Sequence, residues 1–429
     1  MRTTITLTMI LTARLLASSP SGESPEKLMA AAIYQAKVLG DPPAAIKQFR
    51  SIAARYAGKP VAAQALADLG QAQEQLGDGG RARDAYMQLV REYPGQARLA
   101  ARMRQNLAST ADAKFKTQGV NWVSPHLAAS PPGRCCMGMA YDRAMGATLL
   151  YGGRTYTTTF GDTWAFSKAK GWTQLTPAVC PPPLAGASLA YDATTKTVVL
   201  FGGSFASNTN SNETWTWDGV TWTQQFPAVS PPARNWNATN GMVFDFQLGK
   251  VVLFGGYTDQ FIIMNDTWEW DGKSKTWMQQ FPANSPSPRT TTLAYDETAK
   301  QVVLFGGWTN GIAYGDTWAY DGVNWVQQQP VTSPQTRAEN GLAFDPILGK
   351  VVLFGGLAGA LRRLWARPVE LHLAMGRTEL EPGVQTSLRP QSSSGVSFTY
   401  DRTTEGMLLF GGWVTDSSFT SNTWLFKVF

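Results

Sequence analysis

A chain of 429 residues with 16 Trp, 13 Tyr, 20 Phe and 41 Gly, only 16% of it charged, is too apolar for disorder and long enough for a large core. No apolar run reaches the roughly 18 residues of a membrane helix, and two histidines, His126 and His372, leave no multi-histidine metal centre to build. The net charge of +6 sits at the front: residues 1–116 hold 16 Lys/Arg against 9 Asp/Glu (+7), the remainder 21 against 22 (−1). No Lys/Arg run exceeds two residues, so the excess reads as a solvated helical surface and not as a nucleic-acid footprint.

Arg2 followed by the apolar stretch Thr3–Ala13, with Ala17, Ser18 and Ser19 as small residues for cleavage, predicts a secretory signal over residues 1–19 and hence export, periplasmic or extracellular. Arg14 interrupts that stretch, and a cytoplasmic chain with a disordered leader is the alternative. Residues 20–26 read as a linker. Residues 27–110 are Ala-rich, with Gly and Pro at turn-like positions, and predict helices. They repeat: Leu39–Ala45 recurs at Leu76–Ala82, and Phe49 and Tyr56 recur as Tyr86 and Tyr93, always 37 residues on. Leu66, Leu69, Gly70, Ala82, Tyr86 and Pro94 resemble a tetratricopeptide repeat, which implies a short solenoid that binds peptides or proteins. Residues 111–119 form a second linker.

Residues 120–429 carry a longer repeat. An apolar run ending in Gly-Gly occurs six times, to Gly153, Gly203, Gly256, Gly307, Gly356 and Gly412. Each is preceded by an aromatic–Asp pair, whose Asp lies 11 residues before the second glycine in every copy: Asp142, Asp192, Asp245, Asp296, Asp345 and Asp401. A fixed spacing means a fixed hairpin, with Asp opening the turn. A variable loop follows, then a Trp strand (GDTWAF, NETWTWDG, NDTWEWDG, GDTWAYDG, SNTWLF), a turn, and a fourth strand marked by Trp172, Trp222, Trp277 or Trp325. Four short strands per 50 or so residues predict a mainly β fold, a six-bladed β-propeller behind a small helical domain. The pattern resembles the kelch repeat. The chain stops after the third strand of the sixth unit, and Asn121–Val123 matches the fourth strand Asn324–Val326, so this segment is expected to close the ring. The fifth unit departs from the pattern over Leu357–Pro390, which lacks the DTW strand. A partner-binding insertion and a local reading-frame slip both account for it, and conserved length with lost identity favours the slip.

If the first strand of each unit runs downward, the Asp turns lie at the bottom and the variable loops at the top. The top then gathers Tyr156, Tyr257, Trp308, Tyr314 and Trp413, with Arg134, Arg234, Arg289 and Arg337 at equivalent entry positions. Such a ring suits a protein or carbohydrate ligand. The alternative is that each Arg pairs with the Asp of its DTW strand, Asp162, Asp266 or Asp316. No catalytic constellation, metal set or cofactor motif emerges, so the first reading is a non-enzymatic adaptor with no cofactor, no nucleic acid and no membrane span. Six-bladed kelch sugar epimerases of the periplasm are the second reading, and for them Glu339 would be the acid–base group and Arg337 the anchor. Cys135, Cys136 and Cys180 fall on one face of adjacent units, where one disulfide would fit an exported chain.

Overall fold

The computed structural model describes residues 24–76, 79–93, 95–103, 121–236, 240–330, 333–358, 372–373, 390, 394–415 and 418–427. The expected signal segment and most of Leu357–Pro390 lie outside these residues. The chain divides into two compact units, Met1–Thr110 and Ala111–Phe429.

In the first unit, α1 (Pro25–Lys37), α2 (Pro42–Arg55), α3 (Pro60–Gln75) and α4 (Gly79–Glu92) pack in sequence, and 97–103 is again helical. Pro opens three of these helices, where its missing N–H is no loss. Ser24 and Asp41 cap α1 and α2 by accepting from Lys27 and Ala44 N–H at 3.4 and 3.1 Å. The core is built from small residues, Ala45, Ala62, Ala63 and Ala65, around Phe49, Leu66 and Tyr86. Gly70 is required here: a Cβ on it would come within 2.2 Å of the Tyr86 ring.

The second unit opens with β1 (Asn121–Val123). Each of the first four repeats then forms a four-stranded antiparallel meander: β2 (Gly138–Asp142), β3 (Ala147–Tyr151), β4 (Thr163–Ser167) and β5 (Gly171–Leu175); β6 (Ser188–Asp192), β7 (Thr197–Phe201), β8 (Thr214–Trp217) and β9 (Trp222–Gln225); β10 (Met242–Asp245), β11 (Lys250–Phe254), β12 (Thr267–Asp271) and β13 (Thr276–Gln280); β14 (Leu293–Asp296), β15 (Gln301–Thr309), β16 (Ile312–Tyr320) and β17 (Trp325–Gln328). The fifth repeat gives β18 (Arg337–Ala338), β19 (Gly341–Asp345), β20 (Lys350–Phe354), β21 (Leu357–Ala358) and β22 (His372–Leu373). The sixth gives β23 (Ser397–Asp401), β24 (Gly406–Phe410), β25 (Trp413–Thr415), β26 (Ser418–Phe419) and β27 (Thr423–Lys427). β1 pairs antiparallel with β27, Trp122 opposite Phe426, which makes that sheet four-stranded. The innermost strands β2, β6, β10, β14, β19 and β23 adjoin in that order and β23 meets β2 again.

A six-bladed propeller with an irregular fifth unit was expected, and the structure corrects the count to five full blades: five sheets have four strands, while the fifth repeat has the three-stranded sheet β19-β20-β22 among the described residues. The physical reason is in the sequence after Gly356, where the Trp strand and its turn are missing.

Three devices recur. Each hairpin Asp turns its Oδ1 onto the next amides, as Asp245 does to Gln247 and Leu248 N–H at 2.7 and 3.1 Å. Every Gly-Gly pair but that of the fifth repeat abuts the next repeat's entry loop among the described residues: a Cβ on Gly255 (φ +66°) would come within 2.3 Å of the Arg289 carbonyl oxygen, to which Gly256 N–H donates at 3.1 Å. The fourth-strand Trp then joins blades. Trp172, Trp222, Trp277 and Trp325 donate Nε1–H to Thr423, Thr163, Thr214 and Thr267 of the preceding sheet at 2.8–3.0 Å. Their rings meet Phe410, Tyr151, Phe201 and Phe254 edge-on at 5.1–5.4 Å. Thr317 is the next threonine in this series; the fifth repeat supplies no such Trp, and the Thr317 hydroxyl is buried without a partner among the described residues.

Candidate functional site

The Pro-rich entry loops end in Arg134, Arg234 and Arg289, which the sequence offered as ligand contacts. The structure places all three at 0–1% exposure. In each, Nε donates to the carbonyl two residues back, Nη1 to the first glycine of the Gly-Gly pair, and both Nη atoms to the Asp of the DTW strand; the Nη2–Oδ2 distances are 2.9, 2.8 and 3.0 Å to Asp162, Asp266 and Asp316. The same Asp accepts the indole N–H of Trp164, Trp268 or Trp318 at 2.7 Å. Phe160 covers Arg134 at 3.7 Å and Tyr314 covers Arg289 at 3.9 Å. These guanidinium groups are spent inside the blade, and so is the face of Tyr314. The intrablade pairing weighed in the sequence is the arrangement the structure holds.

Burial alone would raise the Asp162 and Asp316 carboxyls, but hydrogen bonds from the arginines and the indoles hold both below the usual carboxylate value. Arg337 occupies the same position and keeps the backbone contacts, Nε to Gln335 O at 3.0 Å and Nη1 to Gly355 O at 3.2 Å. It is 3% exposed and has no carboxylate in contact among the described residues, and burial lowers its pKa to about 10. Buried against backbone carbonyls, it is not displayed to anchor a sugar beside Glu339.

Around the top mouth, the residue after each Gly-Gly pair lies beside the entry loop, through antiparallel pairs in the first five repeats and through Trp413 N–H donating to Ser394 O at 2.9 Å in the sixth. These equivalent positions hold Arg154, Ser204, Tyr257, Trp308, Leu357 and Trp413. Tyr257 stacks on Phe261 (5.8 Å, 6° between planes), which is 73% exposed. Tyr156, 64% exposed, packs on Phe419 at 4.9 Å, and Trp413 lies 6.2 Å from the same ring. Trp308 is half-buried. Glu339 takes a left-handed conformation (φ +57°), as does Cys136 (φ +59°) at the equivalent point of the first repeat, where the second and sixth use Gly186 and Gly395.

All three cysteines are free thiols. Cys180 is exposed and donates to Pro177 O at 3.8 Å, whereas Cys135 and Cys136 are buried with sulfurs 2.8 Å apart. No disulfide joins any two of the three. Burial, then the Cys136 contact, pushes the Cys135 thiol far up, so it is not a thiolate nucleophile.

A second feature was not legible in advance. The aromatic residue before each hairpin Asp lines the axis of the ring. Tyr141, Tyr191, Phe244, Tyr295, Phe344 and Tyr400 surround a cavity of about 170 Å³. At its lower end Glu297 Oε1 accepts from Arg143 Nη2 at 2.9 Å and Arg402 Nη2 at 3.2 Å, and the Arg143 guanidinium lies 4.4 Å over the Phe246 ring. Burial lowers the Arg143 pKa, reinforced by Arg402 and opposed by Glu297. Burial, then the charges of Asp245 and Glu297, pushes Tyr295 up to about 12, so it stays a phenol. The signal for this cluster was the residue following each Asp: Arg143, Ala193, Phe246, Glu297, Pro346 and Arg402 differ in turns that otherwise repeat.

Comparison with known proteins places this geometry. Residues 167–356 match the KLHDC2/KLHL20/DRC7 Kelch-repeats domain. No curated protein matches the chain. The solved structure of YjhT superposes with a TM-score of 0.53 at 14% identity, over 70% of this chain and 96% of that one, a likeness of fold alone. The paired left-handed glycines and Trp strands of residues 167–356 are thus those of a kelch-repeat domain, and the closed ring of short sheets is a β-propeller.

Proposed function

We propose that this protein is a non-enzymatic binding scaffold whose propeller recognises a partner protein through its top face. The observation that carries the reading is the set Arg154, Ser204, Tyr257, Trp308, Leu357 and Trp413: six equivalent positions around one mouth that hold five residue types, three of the six positions being large aromatics. A ring that served only packing would repeat them, as it repeats the Gly-Gly pairs behind them. Kelch propellers bind proteins, which favours a protein over a glycan ligand.

In the same reading the fifth repeat completes a sixth blade, supported by β19 sitting between β14 and β23. The helical unit is a tetratricopeptide-like array offering a second recognition surface, supported by its 37-residue period. The apolar stretch Thr3–Ala13 supports export.

Trp308→Ala and Tyr156→Ala are expected to weaken partner binding by about 1–3 kcal/mol each, with little change in melting temperature. Lys273→Ala, in an exposed turn at the opposite end of the third blade, should leave affinity unchanged. The measurement is calorimetric titration with a partner isolated on the intact propeller; equal affinity of all four proteins would refute the top face. Turnover of a reducing sugar that disappears in Glu339→Gln would replace the scaffold with an enzyme.

A further inference from the structure

The lower mouth of the channel carries a site independent of the top face. Two guanidinium groups from adjacent repeats, Arg143 of the first and Arg402 of the sixth, converge on one oxygen of Glu297, which reaches them from the fourth repeat on the far side of the ring. Residues 154 and 105 positions away in sequence meet there, so the contact is made across the axis and not along a turn. Behind it lies the axial cavity, lined by the phenols of Tyr141, Tyr191, Tyr295 and Tyr400. We propose that this mouth binds a small organic carboxylate, whose carboxylate takes the place Glu297 holds between Arg143 and Arg402 while its ring enters the cavity.

Four observations support the assignment. Guanidinium groups match a carboxylate in charge, and here the protein's own carboxylate already sits between two of them, both Nη2 atoms donating to its Oε1. The six hairpin aspartates at this end, Asp142, Asp192, Asp245, Asp296, Asp345 and Asp401, are engaged elsewhere, each accepting from an amide of its own turn. With Glu297 swung outward the mouth presents two positive charges and no counter-charge of its own. Glu297 is reachable from solvent, its side chain being 24% exposed, somewhat less than the 35% and 33% of the two arginines. Finally, the cavity sets the size: about 150 Å³ accommodates one benzene, so about 170 Å³ takes a single six-membered ring with the phenol hydroxyls as polar contacts.

Benzoate is the probe, with benzyl alcohol as its uncharged counterpart and inorganic phosphate as an anion without a ring. Calorimetric titration of the full chain is expected to show weak benzoate binding to the unmodified protein and about tenfold tighter binding to Glu297→Gln, which removes the internal competitor. Arg402→Gln in the Glu297→Gln background should abolish the gain, and benzyl alcohol and phosphate should not respond to Glu297→Gln. In the unmodified protein benzoate, but not benzyl alcohol, should raise the melting temperature with increasing concentration, a readout that stands even where a variant fails to fold. The proposal is overturned by unchanged or weaker benzoate affinity in a folded Glu297→Gln, by phosphate behaving like benzoate, or by a melting temperature indifferent to benzoate.

Discussion

Replacing Asp266 by alanine is expected to destabilise the propeller by about 3–5 kcal/mol, because it strands the guanidinium of Arg234, which is fully buried, without its charge partner. The same substitution takes the acceptor from the Trp268 indole. The double variant Asp266→Ala, Arg234→Met should recover part of the loss, since an apolar side chain of similar length does not need a counter-charge. Urea unfolding followed by Trp fluorescence measures both, and a single variant within 1 kcal/mol of the parent would show that Arg234 draws its compensation from backbone carbonyls alone. The related pairs make the effect pH-dependent. The folded-state pKa values of Asp162 and Asp316 lie below that of an ordinary aspartate, so their contribution is complete at pH values above the ordinary value and is lost as pH falls through the lower folded values. Asp162→Asn should flatten that acid limb.

Removal of β1 should have a still larger effect. A chain beginning at residue 117 keeps Asn121–Val123; one beginning at residue 127 loses the three pairs with Lys427, Phe426 and Leu425 and leaves β27 with an open edge. It also loses Trp122, which is 8% exposed and packs on Phe426 at 5.3 Å and, across the blade boundary, on Phe354 at 4.9 Å. Truncating a buried Trp costs about 3–5 kcal/mol by itself, and the exposed strand adds a route to aggregation. The shorter chain is therefore expected to precipitate or melt far below the longer one in a thermal scan. Comparable melting would mean that the Trp122 strand is an accessory to a ring already closed by the contact of β23 with β2.

What the sequence made legible followed from local rules. The hairpins were readable because an Asp turn and a Gly-Gly pair at a fixed distance define a two-strand unit whatever lies between. The Trp of the fourth strand could be located, but not its bond to a threonine of the neighbouring sheet, since that partner lies 58 residues away or more. The entry arginines show the same limit. Their recurrence was visible, yet whether they face solvent or an Asp some 30 residues on depends on how the loop folds back. The Arg143–Glu297–Arg402 cluster was hidden more deeply, because closure of the ring alone brings the first, fourth and sixth repeats together. Cys180 lies on an exposed loop while Cys135 and Cys136 sit in the core, a difference of burial that linear spacing does not carry.

The Trp-to-Thr bonds all point the same way: each repeat reaches back to the one before it. A ring coupled in this manner behaves as a one-dimensional array of nearest-neighbour terms bent into a circle, and such an array parts at its weakest junction. The fifth repeat interrupts the series, leaving the Thr317 hydroxyl and the Arg337 guanidinium without the partners their counterparts have among the described residues. The propeller thus has a seam, and its position gives a closed circle a beginning: unfolding is expected to start beside the fifth repeat and travel outward, while the opposite arc, around the second and third repeats, holds longest.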